Sequence, residues 1–474
     1  MQQIEIQAAP LEMLGMLLTP QRSDRLMSQA ARARVLLADR VVWNVNATAY
    51  GGGVAEMLQT LLAYGLGAGV DTRWLVLDGD PAFFAITKRI HNALHGSVDG
   101  VSGFDASEHE HYERVLDGNL STLTRLVRPG DIVLLHDPQT AGDIEGIRET
   151  RANVIWRSHI GRDDPNPTTE RGWDFLRGYL ENADAFVFSR QRYVPHWVPP
   201  DRVRVIAPSI DPFSAKNREL DDLEVSHVLH RVGLIAGGDG SEAVDFTRRD
   251  GTAGVVRRHT DLLWGSEPPP ADAPLVVQVS RWDRLKDMTG VLSAFAAHVG
   301  PATQDVHLML VGPDASAVAD DPEGADVLAA CRAAWVRLPD AVRKRCHLAC
   351  IPMDDVDENA IIVNALQRHA TVVVQKSLVE GFGLTVTEAL WKSRPVLASA
   401  VGGIQDQIVD GAGGLLLPDP SDLGGFAQRL QLLLDDVATG ERMGWRGHER
   451  VRDEFLGDRH LIQYVDLFGD LIGQ

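Results

Sequence analysis

Short apolar runs alternate with helical segments along most of this chain of 474 residues. This alternation is typical of parallel sheets whose two faces are covered by helices. The runs form a first set at 40–45, 72–77, 131–135, 154–157, 185–189 and 203–207, and a second set at 275–279, 306–311, 347–351, 371–375 and 395–398. The sequence therefore predicts an α/β chain with two Rossmann-like domains. Two such domains that face each other across a cleft would bind a ligand at the carboxyl ends of both sheets.

The segments around the two sets predict the domain boundaries. The alternation breaks in a stretch with acidic turns, a glycine cluster and the run Pro268-Pro269-Pro270, which indicates helices and loops between domains. We expect an N-terminal helical extension at 1–38, a first domain at 39–212, a connecting segment at 213–272, a second domain at 273–440, and C-terminal helices at 441–474 that pack back toward the first domain.

The composition excludes several classes of protein. A net charge of −20 and a pI of about 5.2 argue against a nucleic-acid-binding surface, which needs a basic stripe. The odd, low number of cysteines argues against a disulfide framework and favours a reducing, cytoplasmic compartment. The chain lacks a long apolar run and a basic start followed by an apolar stretch, so we expect neither a membrane helix nor a signal peptide. The sequence leaves the oligomeric state open, a homodimer included.

The segment 380–388 carries the most specific chemistry. It follows an apolar run, turns through Gly381, Phe382 and Gly383, and enters a helical pattern at Leu384. Backbone N–H groups at such a helix start can hold an anion. Carboxylates cannot bind phosphate, so Glu380 and Glu388 are free for hydroxyl groups. A phosphate site beside a hydroxyl site suggests a nucleotide sugar as the ligand.

Two further loops offer groups for an anion. Gly51, Gly52 and Gly53 follow a strand and open a helix, which lets the backbone approach an oxyanion closely, although a simple tight turn explains them equally well. Arg281 and Lys286 follow the first strand of the second set and can reach a diphosphate. The alternative for that loop is a solvated turn with local ion pairs to aspartates 283 and 287.

Polar residues also end two strands of the first set. His136 and Asp137 end one strand, and Arg157 and His159 end the next, so both histidines are expected at one edge of the sheet. Such histidines bind hydroxyl groups or move protons, although a single histidine is more often structural. The run Asp78-Gly79-Asp80 resembles a metal-binding D-x-D sequence, but we interpret it as a loop turn and expect no metal.

Together these residues resemble the retaining glycosyltransferases of the GT-B group, family 4. Glu380 and Glu388 match the family's E-x7-E pattern, and Arg281 with Lys286 match its diphosphate-binding pair. The glycine loop and His159 match elements of its first domain. Residues 44–56, 83–96, 136–139, 375–377, 382–389 and 391–392 resemble the trehalose glycosyltransferring synthases more narrowly. The long connection at 214–270 and the serine at position 158 depart from that pattern.

The resemblance implies a hexosyltransferase that moves glucose from a nucleoside diphosphate glucose to glucose, giving α,α-trehalose with retention. It needs no obligatory cofactor, and its partners are the nucleotide sugar and a small sugar acceptor. The implied catalytic residues are His159, Glu380, Arg281 and Lys286. The implied donor-binding residues are Gly52, Gly53, Arg281, Lys286, Glu380, Gly381, Phe382, Gly383, Leu384 and Glu388, and the implied acceptor-binding residues are Asn46, Tyr50, His136, Asp137 and Arg157. Glu388 would hold the ribose and Glu380 the donor sugar.

Two other functions remain open at this point. The same donor chemistry can serve another acceptor, such as an amino sugar or a cyclitol. A non-catalytic nucleotide-sugar-binding protein would keep the fold without turnover. The sequence fixes neither the nucleotide base nor the favoured direction of the reaction.

Overall fold

The computed structural model describes residues 1–49, 52–97, 103–238, 240–248, 251–314 and 323–473. The chain divides into two compact units. The first consists of Met1–Ser209 together with Phe455–Gln474, and the second consists of Ile210–Glu454. The chain therefore leaves the first unit once and returns to it at its C-terminal end.

Strands and helices are numbered separately in chain order. The strands are β1 (Gln2–Ile4), β2 (Val42–Asn46), β3 (Thr72–Val76), β4 (Ile132–His136), β5 (Asn153–Ser158), β6 (Ala185–Phe188), β7 (Val203–Val205), β8 (Asp245–Thr247), β9 (Ala253–Val255), β10 (Leu275–Val279), β11 (His307–Pro313), β12 (Cys346–Ile351), β13 (Val372–Gln375), β14 (Val396–Ser399) and β15 (Leu415–Leu417). The helices are α1 (Leu11–Gly15), α2 (Pro20–Leu36), α3 (Gly52–Gly67), α4 (Pro81–Leu94), α5 (Ala106–Leu126), α6 (Ile144–Glu149), α7 (Pro167–Leu180), α8 (Asp222–Arg231), α9 (Met288–Ala294), α10 (Gly300–Ala302), α11 (Glu323–Val336), α12 (Asp340–Arg343), α13 (Val356–His369), α14 (Leu384–Trp391), α15 (Ile404–Gln407), α16 (Leu423–Asp435), α17 (Val437–Glu454) and α18 (Gly457–Ile472).

The first unit is built on a sheet of order β1-β3-β2-β4-β5-β6-β7. Its strands are parallel except for β1, which pairs antiparallel with β3. The apolar runs predicted every parallel strand of this sheet. They did not predict β1, because three residues with a single apolar side chain carry no periodic signal.

The C-terminal helix α18 completes the core of the first unit. Its residues Tyr464, Leu467 and Phe468 pack in one cluster with apolar side chains of β2 and β4. Arg22 of α2 donates to Asp458 of α18 at 2.9 Å, and this pair ties the two helices together. Without α18, one face of the central strands would lack part of its apolar cover.

The second unit contains a parallel sheet of order β12-β11-β10-β13-β14-β15. The apolar runs predicted all of its strands except the short β15. The fully buried Trp282, Phe295 and Phe426 anchor its core. The strand β10 lies between β11 and β13, so the loops that follow β10 and β13 leave the same edge of the sheet.

The region expected as a connecting segment, 213–272, belongs to the second unit. Its helix α8 packs against α13, and Arg257 donates to Glu358 of α13 at 2.6 Å. It also contains a hairpin, β8–β9, where we had expected only helices and loops. Of the helices expected at 441–474, α17 packs against α14 in the second unit and only the part from Phe455 onward belongs to the first. None of the helices in the described ranges is long and apolar enough to cross a bilayer.

Candidate functional site

Adjacent parallel strands bring the two charged loops of the second unit together. Residues 280–287 follow β10 and residues 376–383 follow β13, and the amide of Leu378 donates to the carbonyl of Leu285 at 2.7 Å. The strand pairing thus places Lys286 and Glu380 side by side, although they are far apart in the sequence.

Lys286 and Glu380 form a partly buried ion pair. The Lys286 Nζ lies 2.5 Å from Glu380 Oε2, and the two side chains are 17% and 10% exposed. The Ser377 hydroxyl donates to the same carboxylate oxygen at 3.1 Å. An ammonium group has three N–H donors, so Lys286 can hold Glu380 and a phosphate oxygen at the same time.

Arg281 takes the more exposed position in the same loop. Its side chain is 43% exposed and donates to Asp283 Oδ2 at 3.3 Å. The local ion pair expected for a solvated turn is therefore present for Arg281. Lys286 behaves differently, because its carboxylate partner comes from the neighbouring strand end rather than from Asp287.

The turn before α14 requires a glycine at position 383. Gly383 has φ 84°, in the left-handed region, and a Cβ there would lie 3.0 Å from Ile404 and 3.1 Å from Glu380. Gln407 donates to the carbonyl of Phe382 at 2.6 Å and accepts from the Thr387 hydroxyl at 2.7 Å. These two hydrogen bonds hold the turn against the start of α14. The amides of Leu384 and Thr385 come before the first hydrogen bond of α14, which Val386 donates to the Gly383 carbonyl at 2.9 Å, and they can face an anion. No local sequence signal pointed to Gln407.

Glu388 lies on α14 and is 4% exposed. Its Oε1 lies 3.7 Å from the ammonium of Lys216, a residue that the sequence reasoning did not single out. The adjacent Lys392 donates to the Glu388 carbonyl at 3.1 Å and to Gln367 at 2.8 Å. Burial lowers the pKa of Lys392 to about 7, against the opposing effect of the Glu388 charge. Lys216 therefore lies against this carboxylate, and Lys392 contacts the backbone of the same residue.

In the first unit, His136 and His159 meet at the carboxyl ends of β4 and β5. His136 Nδ1 lies 3.0 Å from His159 Nε2, and His136 Nε2 lies 3.0 Å from the Asn44 amide oxygen. Because that oxygen only accepts, His136 donates from Nε2 and accepts at Nδ1 from His159. Burial, aided by Arg157, lowers the pKa of His136 to about 3 and that of His159 well below its ordinary value. Both rings are therefore neutral at neutral pH.

Arg157 lies beneath this pair and is fully buried. It donates to His460 Nε2 at 3.2 Å, to the Tyr464 hydroxyl, and to the Ile206 carbonyl at 3.3 Å. Its Nε lies 3.5 Å from His159 Nδ1. A direct contact between Arg157 and an acceptor stays a prediction. The sequence reasoning missed His460 and Tyr464, since both come from α18.

Asp137 holds the backbone of the neighbouring strand end. Its carboxylate accepts from the His159 amide at 2.7 Å, and its own backbone has φ 63°. A left-handed conformation in a residue other than glycine is a local strain of the kind found at functional sites. Burial raises the pKa of Asp137 to about 7, against the effects of the His159 amide and Arg157.

Asn46 is buried at the end of β2, and its side chain forms hydrogen bonds with neighbouring residues of the protein. It donates to the Thr48 carbonyl and accepts from the Trp74 indole, each at 2.8 Å. It thereby fixes the start of the glycine loop. Gly52 and Gly53 open α3 as expected, whereas Tyr50 and Gly51 lie outside the described residues.

Comparisons with known proteins match both units. Residues 44–195 match the family described as the N-terminal domain of trehalose synthase, and residues 356–450 match the group 1 glycosyltransferases. The trehalose synthase of Thermococcus litoralis is 34% identical over 433 residues, which cover 91% of this chain and 90% of the relative. The trehalose synthase of Rubrobacter xylanophilus is 35% identical over 437 residues and 91% of each chain.

The chain belongs to the trehalose synthase family. The trehalose phosphorylase of Grifola frondosa is more distant, at 26% identity over 86% of this chain and 54% of that protein. Among solved structures, an α,α-trehalose 6-phosphate synthase from Burkholderia multivorans aligns with a TM-score of 0.64 at 17% identity, covering 92% of this chain and 98% of that one. A sucrose-phosphate synthase from Thermosynechococcus elongatus aligns with a TM-score of 0.63 at 18% identity, covering 92% and 99%. The protein is a glycosyltransferase with the GT-B fold of two Rossmann-like domains.

The family matches contain most of the candidate residues. The first match spans His136 and His159, and the second spans Glu380 and Glu388, whereas Lys286 lies between the two. Within the described ranges, no group of three or more His, Cys, Asp or Glu side chains is arranged to hold a metal ion. Asp80 of the D-x-D run instead caps α4, accepting from the Phe83 amide at 2.8 Å.

Proposed function

We propose that this protein transfers glucose from a nucleoside diphosphate glucose to glucose, forming α,α-trehalose with retention of the anomeric configuration, as a family 4 enzyme. The observation that carries the donor assignment is the Lys286–Glu380 pair beside the amides that open α14. This loop cluster offers a cation, free helix amides and a carboxylate within one small region. The trehalose synthases that match nine-tenths of the chain support the acceptor assignment.

On the donor side, Lys286, Arg281 and the first amides of α14 would bind the diphosphate. These donors stabilise the negative charge that grows on the leaving group as the glycosidic bond breaks. Glu380 would accept hydrogen bonds from the donor sugar, and Glu388 would accept them from the ribose. The Lys286–Glu380 pair is formally neutral, so Lys286 would keep its bond to Glu380 and use its remaining N–H donors on the diphosphate.

On the acceptor side, the low basicity of the histidines supports a particular proton route. Burial and Arg157 hold the pKa of His159 well below its ordinary value, so this ring is a poor general base at neutral pH. The departing diphosphate oxygen is then the better acceptor for the proton of the attacking hydroxyl. That route agrees with a same-face displacement in which His159 contacts the donor sugar without taking the proton.

A donor panel tests the proposal directly. We expect one or more of UDP-, ADP-, GDP- and TDP-glucose, incubated with glucose, to yield a disaccharide whose two anomeric centres are both α by NMR. No disaccharide from any of the four donors would contradict the proposal. A control incubation contains inorganic phosphate and trehalose but no nucleotide. It tests for the phosphorylase reaction after which the more distant relative, trehalose phosphorylase, is named.

The same assay separates the alternative functions. A strong preference for an amino sugar or a cyclitol over glucose would replace the acceptor while keeping the donor chemistry. Binding of nucleotide sugar without turnover on any acceptor would favour the non-catalytic protein instead.

A further inference from the structure

A second ion pair joins the same two loops, has a more deeply buried lysine than the Lys286–Glu380 pair, and has no part in the proposed ligand contacts. Lys376 directly follows β13 and its side chain is 1% exposed. Its ammonium donates to Asp287, whose side chain is 17% exposed. An ammonium group buried this deeply needs a close carboxylate, because an unpaired buried charge is strongly destabilising.

Asp287 is held in an uncommon backbone conformation. It has φ 47° and ψ 45°, in the left-handed region, and its carboxylate also caps α9 by accepting from the Gly290 amide at 3.1 Å. A Cβ at Gly290 would lie 2.1 Å from the Asp287 carboxylate, so the cap depends on that glycine. A strained conformation persists only where its surroundings over-determine it, and here Lys376 and the helix cap do so together.

Gln278 links the same two segments through their backbones. It is fully buried, donates to the Lys286 carbonyl at 2.8 Å and accepts from the Lys376 amide at 3.4 Å. With the bond between Leu378 and Leu285, these contacts join residues 285–287 to residues 376–378. Lys286 therefore lies on a short segment that is fixed on both sides.

We propose that Lys376 and Asp287 are a positioning pair that holds the backbone of Lys286 so that its ammonium and Glu380 meet the diphosphate together. The proposal rests on the donor role given above to Lys286 and Glu380. Neither Lys376 nor Asp287 contacts the substrate in it. Their effect passes through the chain, since Asp287 is the next residue after Lys286 and Lys376 is close in sequence to Glu380.

The decisive variant removes both charges at once. Lys376→Gln alone or Asp287→Asn alone leaves one buried charge, and each is expected to lower the stability of the second unit. The double variant Lys376→Gln/Asp287→Asn leaves no orphaned charge and keeps an oxygen to cap α9. We expect it to melt close to the unaltered protein but to lose roughly 10²-fold in kcat, as misplacements of about 1 Å do.

A matched double variant controls for the loss of an ion pair in the same unit. Arg248 of the hairpin segment and Asp355, which follows β12, form a pair at 2.7 Å that lies outside the loops following β10 and β13. Like the Lys376/Asp287 double variant, Arg248→Gln/Asp355→Asn leaves no orphaned charge, so we expect it to melt close to the unaltered protein, but with kcat and the KM of the donor unchanged.

Two readouts distinguish the outcomes. Calorimetric binding of the nucleoside diphosphates of the donor panel reports on the site without turnover, and we expect the Lys376/Asp287 double variant to bind at least tenfold more weakly than the unaltered protein. A folded double variant with unchanged kcat and unchanged nucleotide binding would overturn the positioning role and leave the donor site intact. If the unaltered protein binds none of the nucleotides, both the donor assignment and the positioning role are overturned.

Discussion

In the first unit the buried guanidinium of Arg157 lies against neutral histidine rings. In the second unit the lysines of the loops that follow β10 and β13 each pair with a carboxylate. Arg157 donates to His460 and approaches His159, and burial together with its charge keeps both rings unprotonated. Lys286 and Lys376 instead pair with Glu380 and Asp287.

The difference teaches how each site can respond to a ligand. In the first unit, the neutral groups around the buried Arg157 fix the orientations and tautomers of the histidine rings. That network offers no exposed cation to an incoming anion. An ion pair at a loop end can share its cation with an incoming phosphate, since Lys and Glu are both partly exposed there. The first arrangement suits the orientation of a neutral sugar, and the second suits the binding of an anionic leaving group.

The largest expected effect comes from breaking the charged arrangement. Glu380→Ala removes the partner of Lys286 and the proposed acceptor for the donor sugar, so we expect transfer to fall by about 10³-fold. The folded state should persist, because Lys286 is partly exposed and can be solvated. Glu323→Ala is the control, since Glu323 pairs with Arg284 of the same loop at 3.1 Å and should change transfer less than about twofold. Normal turnover in Glu380→Ala would refute the assignment.

An intermediate effect concerns protonation of the buried histidines. His136 has a native pKa of about 3, mainly through burial, against about 6.5 in an unfolded chain. As the pH falls through that interval, the unfolded chain takes up a proton that the native state refuses, so stability falls by about 1.4 kcal/mol per pH unit. His136→Asn should remove this part of the slope when the unfolding free energy is measured between pH 5 and pH 6.

His347 of the second unit is the matched control for that experiment. Burial also lowers its pKa to about 3, and it contacts Ser266 and His307 rather than the site loops. We expect His347→Asn to flatten the slope equally while leaving the pH profile of transfer unchanged. The proposed route leaves both rings neutral and predicts no change in the pH profile, so an unchanged kcat in His136→Asn is the result that would separate the histidine pair from the reaction.

The smallest expected effect tests the far end of the Arg157 network. Tyr464→Phe removes one acceptor of Arg157 but leaves His460 in place, so we expect a loss of about 1 kcal/mol in stability. The kcat should fall several-fold with little change in the KM of the donor. Tyr179→Phe is the control, because the Tyr179 hydroxyl contacts His109 and Glu113 of α5 rather than Arg157, and it should leave kcat as it is. An equal fall in both variants would argue against coupling through Arg157.

Much of the fold could be predicted because its signals are local. A buried parallel strand is a continuous apolar run, and each run longer than about four residues was identifiable in this chain. The strands β1 and β15 have three residues each, and neither belongs to a longer apolar run, whereas the run that contains β7 extends to residue 207. The hairpin β8–β9 was also missed. Each of its strands has three residues with a single buried residue in the middle, which is too little for a period-two pattern.

The site was predictable where strand order sets proximity. His136 and His159 end neighbouring strands, as Lys286 and Glu380 follow neighbouring strands, and the structure brings both pairs into contact. The partners of Arg157 and Asp287 were not predictable, because His460 lies 303 residues from Arg157 and Lys376 lies 89 residues from Asp287. Contacts between distant segments depend on packing that no local pattern records.

The return of the chain to its first unit has a consequence during translation. Residues up to Ser209 leave the ribosome long before Phe455, so the early strands wait for α18 while the entire second unit is synthesised. Until then the apolar face that Tyr464, Leu467 and Phe468 cover stays open, and Arg157 lacks its C-terminal partners. The second unit begins later in the sequence, but its last residue is synthesised before the C-terminal helix of the first unit. The second unit is therefore complete before the first.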